Sequence, residues 1–399
     1  MSSSEEIIRI AAKGNGVTQS GRHVAFAAPG DTVLADGTLQ KGPHHIDPPC
    51  RHFGKCGGCQ LQHCDEETLQ SAAANRVLFA AASQGLEPHK LGPPAMSPPH
   101  SRRRASLRAI NGGGRPVIGF NAAGSHSLVN LTECHILLPE LFALIEPLRR
   151  YFAPLKGKYS IDIELTKIDQ GVDCGLKGFM PDGLDQTEGL LDFCRDNSLA
   201  RLTLDAGYGA EGFWEPEPVT IALGGIPVAY PSGAFLQATA HGEAALVAAA
   251  REWLEPCENV ADLFSGLGTF ALALANKRKV LAVEADRAAV LACRTAANSA
   301  RLPLETSHRD LFRNPLRVEE LSQFDGVLLD PPRAGARTQI EQIAASGVGR
   351  VVYISCNPSS WSRDCTMLRD AGYVLEELRT VGQFRWSTHV ELASLFVKG

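Results

Sequence analysis

From about residue 232 onward, short runs of β-branched and apolar residues alternate with Ala- and Leu-rich stretches of helical length. The runs 260–264, 280–284, 326–330 and 351–356 predict strands, and 286–300 predicts a helix. Alternation of this kind predicts βαβ crossovers and a parallel sheet covered on both faces, the α/β class, whose ligands bind at the carboxyl ends of the strands.

Upstream the pattern is different. Ile7-Ile8-Arg9-Ile10 and His23-Val24-Ala25-Phe26 are short alternating segments broken by Gly14, Gly16, Gly21 and Pro29-Gly30-Asp31, which reads as a small β module. Pro43, Pro48 and Pro49 lead into a Cys-rich stretch. After it Asp65 caps a helix with Glu66 and Glu67 in its first turn, running to about Ser83 before Gly85. Residues 88–230 mix strands at 104–110 and 117–120 with helical patches near 137–152 and 189–195, an α+β pattern. The expected domains are 1–47, 48–230 and 231–399, with the 65–85 helix packing on the last.

Composition sets the limits. The 399 residues are 44% apolar and 21% charged, which is globular rather than disordered. The start of the chain is polar and acidic, and no apolar run reaches the ~18–20 residues of a membrane span, so the expectation is a cytosolic protein without a membrane partner. Eleven Cys in that compartment point to metal or catalysis rather than disulfides. Residues 1–150 carry 15 basic against 12 acidic side chains, whereas 151–399 carry 24 against 32. This asymmetry permits a polyanion near the N-terminal half without establishing one.

Three features of the C-terminal region carry chemistry. Asp262-Leu263-Phe264-Ser265-Gly266-Leu267-Gly268-Thr269-Phe270 places two glycines between a strand and a helix, where backbone N–H groups can approach a ligand. Glu284, at the tip of the next strand, is placed to accept both hydroxyls of a ribose. Ala271 leaves a dinucleotide possible on this loop alone. Asp330-Pro331-Pro332-Arg333 ends a strand with an acid that the prolines turn out of the ladder, and Asp310 ends another predicted strand in reach of an adenine amine.

Ser355-Cys356-Asn357-Pro358 puts a thiol at a strand's carboxyl end, and Thr388-His389-Val390-Glu391 leads a carboxylate into the last apolar strand. Thiol, carboxylate and a cofactor with an electrophilic methyl fit methylation of a pyrimidine at C5. That carbon is a poor nucleophile until a thiolate adds at C6, after which C5 takes the methyl and a base removes the C5 proton. The chemistry calls for a site that is locally electropositive or that partners the thiol closely, and for a partly desolvated base whose pKa is raised toward the working range.

Cys50, Cys56 and Cys59 place three soft ligands within ten residues, with Cys64 or Cys134 as the fourth. Spacing alone leaves zinc and an iron–sulfur cluster open.

The ordered set CRHFGKCGGC, LTECHILLP, DLFSGLGTF, LDPPR, ISCNP and THVE resembles the RNA 5-methyluridine methyltransferases, in particular the iron–sulfur branch acting on 23S ribosomal RNA. The resemblance implies a class I, Rossmann-like methyltransferase domain with a mixed, mostly parallel sheet, an α+β central domain and a truncated TRAM-like, OB-type N-terminal module. It also implies a cytoplasmic monomer acting on RNA. Cys356 would be the nucleophile and Glu391 the base. Gln237, Phe264, Thr269, Glu284, Asp310 and Asp330 would contact S-adenosylmethionine, and Cys50, Cys56, Cys59 and Cys134 would hold a [4Fe-4S] cluster. Thr269 departs from the family's usual Asn. Arg102, Arg103, Arg104 and Arg108, with Lys13 and Arg22, would guide an RNA whose target base must leave its stack. The competing readings are methylation of a nucleobase amino group and a non-enzymatic RNA-binding iron–sulfur protein.

Overall fold

Seven strands between Asn259 and Lys398 form one sheet. Counted from Asn259–Leu263, they are followed by Lys279–Glu284, Leu304–His308, Gly326–Leu329, Arg350–Ser355, Tyr373–Gly382 and Glu391–Lys398, and their order across the sheet is 3-2-1-4-5-7-6. The first five are parallel, and the last enters antiparallel between the fifth and sixth. Lys90–Leu91 and Ala95–Met96 extend the far edge by pairing with Tyr373–Gly382. The sheet is thus mixed and mostly parallel, and its buried strands read as continuous apolar runs because helices cover both faces.

The computed structural model describes residues 4–111 and 115–399; residues 1–3, at the start of the predicted N-terminal module, lie outside the described residues. The chain divides into two compact units. One comprises Met1–Ala72, Ser97–Val219 and Phe384–Thr388, and the other Ala73–Met96, Thr220–Gln383 and His389–Gly399.

In the second unit the core runs through Leu263, Val283, Val327, Leu329, Tyr353, Trp361 and Phe396, with Val77 and Ala81 of the helix Glu66–Ala82 joining it. Asp65 accepts the Thr68 N–H at 2.9 Å, the predicted cap. Asp286 caps Arg287–Ser299 through the N–H groups of Ala288 and Ala289. The hairpin Thr220–Leu223 and Ile226–Ala229 also belongs to this unit, ahead of the expected boundary at 231, because Gly224 at its turn lies against the main chain of Ala273.

In the first unit, five short strands at Glu5–Ile10, Gly16–Thr18, His23–Val24, Thr32–Val33 and Leu39–Gln40 form an antiparallel sheet. The third stops before Phe26, whose φ of 55° no strand accommodates. A second, seven-stranded sheet carries Arg104–Asn111 and Pro116–Asn121. It is antiparallel except where Gly171–Lys177 pairs with Leu199–Asp205, and there the helix Gly183–Asp196 supplies the crossover.

Candidate active site

The first parallel strand feeds the glycine loop. Gly266 and Gly268 adopt φ of 54° and 89°, and Gly268 caps the short helix Thr269–Leu274. A side chain at Gly268 would meet Cys293 Sγ at 2.5 Å, so both conformation and close packing demand glycine there. Glu284 holds the loop from the neighbouring strand. Its Oε2 accepts the Gly266 N–H at 2.9 Å, and its Oε1 accepts those of Ala285 and Asp286 at 2.7 and 2.8 Å. Thr269 is the helix's first residue and half-buried.

Phe264, in a left-handed conformation at φ 61°, faces Phe312 with ring centroids 5.3 Å apart. Phe312 is half exposed and escapes sequence reasoning, because nothing in its local pattern separates it from a surface aromatic. Asp310 does not end a strand as predicted. The third strand stops at His308, and Asp310 in the following loop accepts the Phe312 N–H at 3.0 Å, which fixes the approach to that ring. Glu284, the Phe264–Phe312 pair and Asp310 all border the carboxyl ends of the first three strands.

The fourth strand delivers Asp330. Burial pushes its carboxyl up to about 7, against the opposing bond from Gln237 Nε2 to Oδ2 at 3.0 Å. Gln237 is itself buried, and its Oε1 accepts from Gln383 Nε2 at 2.7 Å. Gln383 in turn accepts the Thr239 N–H at 3.2 Å. Gln383 has no motif around it and was not foreseen.

Cys356 follows the fifth strand and Glu391 opens the seventh. The antiparallel ladder runs from Arg350↔Val397 to Ser355↔Leu392, so Cys356 and Glu391 each lie one residue beyond its end, and the Glu391 charge reaches the thiol. Burial and the facing charge of Asp330 raise Glu391 to about 8, with Arg333 opposing. The Cys356 thiol is half-buried and pushed up to about 11, first by burial and then by Glu391 and Asp330, with Arg333 and a backbone hydrogen bond acting to lower it. Burial, reinforced by Glu391 and Asp330, outweighs Arg333, so the structure raises the thiol pKa rather than lowering it. Arg333 is anchored through its carbonyl, which accepts from Asn357 Nδ2 at 2.9 Å and Ser360 Oγ at 3.1 Å, and its guanidinium lies 3.3 Å from His389 Nδ1.

In the first unit, Cys134 joins Cys50, Cys56 and Cys59: each of the four thiols lies within electrostatic reach of the other three. Cys64 is wholly buried, and the charges that reach it are those of Asp65 and Asp31 rather than of any thiol. Burial raises the thiols of Cys50 and Cys56 and takes Cys59 to about 12. Among the described residues the one triad of His, Cys or acid with all ligand atoms within 4.8 Å is His44, Asp65 and Glu67, so no three of these sulfurs stand that close together.

The arginine run is largely committed to structure. Arg103 is buried, Arg108 pairs with Asp162 at 2.9 Å, and Arg102 lies over the Phe384 ring at 5.2 Å while donating to the Arg104 carbonyl. Lys13 and Arg22 are exposed.

An RNA methyltransferase from Zymomonas mobilis is 46% identical to this chain over 395 residues, 99% of this chain and 100% of that protein. The 23S rRNA (uracil(1939)-C(5))-methyltransferase of Shewanella denitrificans is 32% identical, covering 90% of this chain and 84% of that protein. The model of the tRNA (uracil-5-)-methyltransferase family matches residues 226–398. The chain belongs to the uracil-5 RNA methyltransferases. Its fold also matches the Pyrococcus abyssi tRNA (uracil-54, C5)-methyltransferase, solved with S-adenosyl-L-homocysteine, at a TM-score of 0.76 and 22% identity over 99% of this chain and 100% of that one. The sheet order described above is the S-adenosylmethionine-binding fold of this family. No helix among the described residues is long and apolar enough to cross a membrane.

Proposed function

We propose that this enzyme methylates C5 of a uridine in 23S ribosomal RNA through a transient bond between Cys356 and C6. What supports the proposal is that Cys356 and Glu391 each lie one residue beyond the end of the Ser355–Leu392 ladder, with Glu391 and Asp330 both within electrostatic reach of the thiol. The Shewanella relative supports 23S RNA as the substrate class.

Gln237, Phe264, Thr269, Glu284, Asp310 and Asp330, with Phe312, border the site for S-adenosylmethionine, which supplies an electrophilic methyl on a sulfonium. The Cys356 thiol loses its proton to solvent as Sγ bonds to C6. The electron pair displaced to C5 takes the methyl, Glu391 then removes the C5 proton, and the C6–S bond breaks to return the thiolate. A carboxyl near 8 suits this exchange because it can hold or release a proton at working pH. An amino-group transfer would leave both the thiol and Glu391 without a role.

The donor set of Cys50, Cys56, Cys59 and Cys134 fits a metal group, and a [4Fe-4S] cluster better than zinc. Four thiolates on zinc stand ~3.8 Å apart, given Zn–S bonds of ~2.3 Å, and these sulfurs do not gather that closely. The cluster would cross-link the 50–59 loop to Cys134.

The test is covalent trapping with 5-fluorouridine-containing RNA together with nucleoside mass spectrometry of ribosomal RNA from cells lacking the protein. A trapped complex that requires Cys356, and loss of one or more 5-methyluridines from 23S RNA, are the expected results. Retention of every such nucleoside would overturn the substrate assignment.

A further inference from the structure

The segment Phe384–Thr388 joins the sixth and seventh strands of the catalytic sheet, yet it belongs to the first unit, with the cysteine loop. The reason is a set of bonds made next to Cys59. The main-chain N–H groups of Gln60 and Leu61 both donate to the Trp386 carbonyl, at 2.7 and 2.9 Å. Trp386 is buried and held at φ 62°, a conformation its side chain disfavours and the surrounding contacts impose.

The Gln60 side chain works in both directions. Its Nε2 donates to the Gly57 carbonyl at 2.7 Å, inside the cysteine loop, and its Oε1 accepts the Thr388 N–H at 3.4 Å. Arg102 makes a second tie, lying over Phe384 while its charge faces Cys59 and Cys134. Arg385 pairs with Glu66 and donates to the Ser97 carbonyl. Glu391 lies three residues beyond Thr388 along the same chain.

We propose that Gln60 is a positioning residue for Glu391: by tying Gly57 of the cysteine loop to Thr388, it sets where the last strand begins and couples the order of the thiol cage to removal of the C5 proton. This rests on the reading of Glu391 as the base. The step affected is resolution of the adduct, in which the carboxylate takes H5 as a proton, the C5–H pair forms the C5=C6 bond, and the C6–S bond breaks to give thiolate. Addition of Cys356 to C6 and transfer of the methyl precede it and do not use Glu391, so they are spared. A misplacement of ~1 Å at a reacting group costs ~100-fold.

The experiment uses the cluster-loaded full chain, an in vitro 23S transcript and S-adenosylmethionine, with the adduct followed on denaturing gels in single turnover. Gln60→Ala keeps both main-chain bonds to Trp386 and removes both side-chain ties, to Gly57 and to Thr388. The expected result is adduct formation at the wild-type rate, resolution slowed ~10- to 100-fold, and unchanged RNA KM and visible cluster absorption. Gln60→Glu, which retains the acceptor for Thr388 but loses the donor to Gly57, should recover only part of the rate. Resolution at the wild-type rate in Gln60→Ala, equal impairment of the Ala and Glu variants, or a uniform slowing of all steps with loss of the cluster would each overturn the proposal. Should Gln60→Ala fail to fold, Gln60→Asn keeps the amide but falls one methylene short of Thr388 and takes its place. Glu391→Gln is the control: absence of accumulated adduct there would refute the base assignment itself, independently of Gln60.

Discussion

Ser355 pairs with Leu392 at the last step of an antiparallel ladder, and just beyond it Glu391 lies within electrostatic reach of Cys356, 35 positions away in sequence. A register slip of one residue would turn Glu391 to the opposite face of the sheet and leave the thiol without its carboxylate.

Cys356→Ala should abolish covalent trapping by 5-fluorouridine RNA and lower turnover by at least ~1,000-fold, since the nucleophile rather than an auxiliary group is lost. Binding of S-adenosylmethionine, measured by calorimetry, should be unchanged. Glu391→Gln should form the adduct and retain it.

The pH dependence follows from Glu391. As a base it must be deprotonated, so adduct resolution should rise with pH and level off above about 8. Replacement by Gln should remove this inflection from single-turnover profiles between pH 6 and 9.

Stability responds with the opposite sign. The folded-state pKa of Glu391 is raised, so the protonated carboxyl stabilises the fold at low pH, and that contribution is lost as pH climbs from the ordinary carboxylate range to about 8. Wild type should therefore melt increasingly below Glu391→Gln across that window, by at most ~1.4 kcal/mol for each unit of displacement, with no difference in acid. Thermal unfolding at a series of pH values checks this.

Phe312→Ala removes one wall of the pair with Phe264. Loss of a stacked aromatic worth ~0.5–1.5 kcal/mol should weaken S-adenosylmethionine binding up to ~10-fold. Calorimetry should register this while trapping of 5-fluorouridine RNA at saturating cofactor persists.

Cys134→Ser should eliminate the visible absorption of an anaerobically purified cluster, whereas Cys64→Ser should retain it, because Cys64 faces none of the other thiols. Equal loss in both variants would remove Cys134 as the distinguishing ligand.

The centre of the catalytic sheet was legible in the sequence because the strands Gly326–Leu329 and Arg350–Ser355 are buried, mainly apolar runs with a reactive residue just past the end, whereas Leu304–His308 and Tyr373–Gly382 carry polar residues throughout. Leu263 precedes the glycine loop, Leu329 precedes Asp330, and Ser355 precedes Cys356. Phe312, Gln383 and Gln60 were not legible, since an aromatic or an amide in a loop carries no periodicity and acquires a role only from what packs beside it. The thiol's environment was not legible for the same reason: local sequence shows neither its burial nor that Glu391 and Asp330 both reach Cys356.

By itself the sequence determined the alternating strands and helices, the turn that only glycine permits at Gly268, and the identity of the groups able to react, because these depend on near neighbours along the chain. Only the tertiary structure decided that Cys134 rather than Cys64 faces the other three thiols, that the last strand runs antiparallel so that Glu391 meets Cys356, and that Trp386 is held by the cysteine loop. Those are contacts between residues far apart in sequence, fixed by sheet register and burial, which leave no local pattern to read.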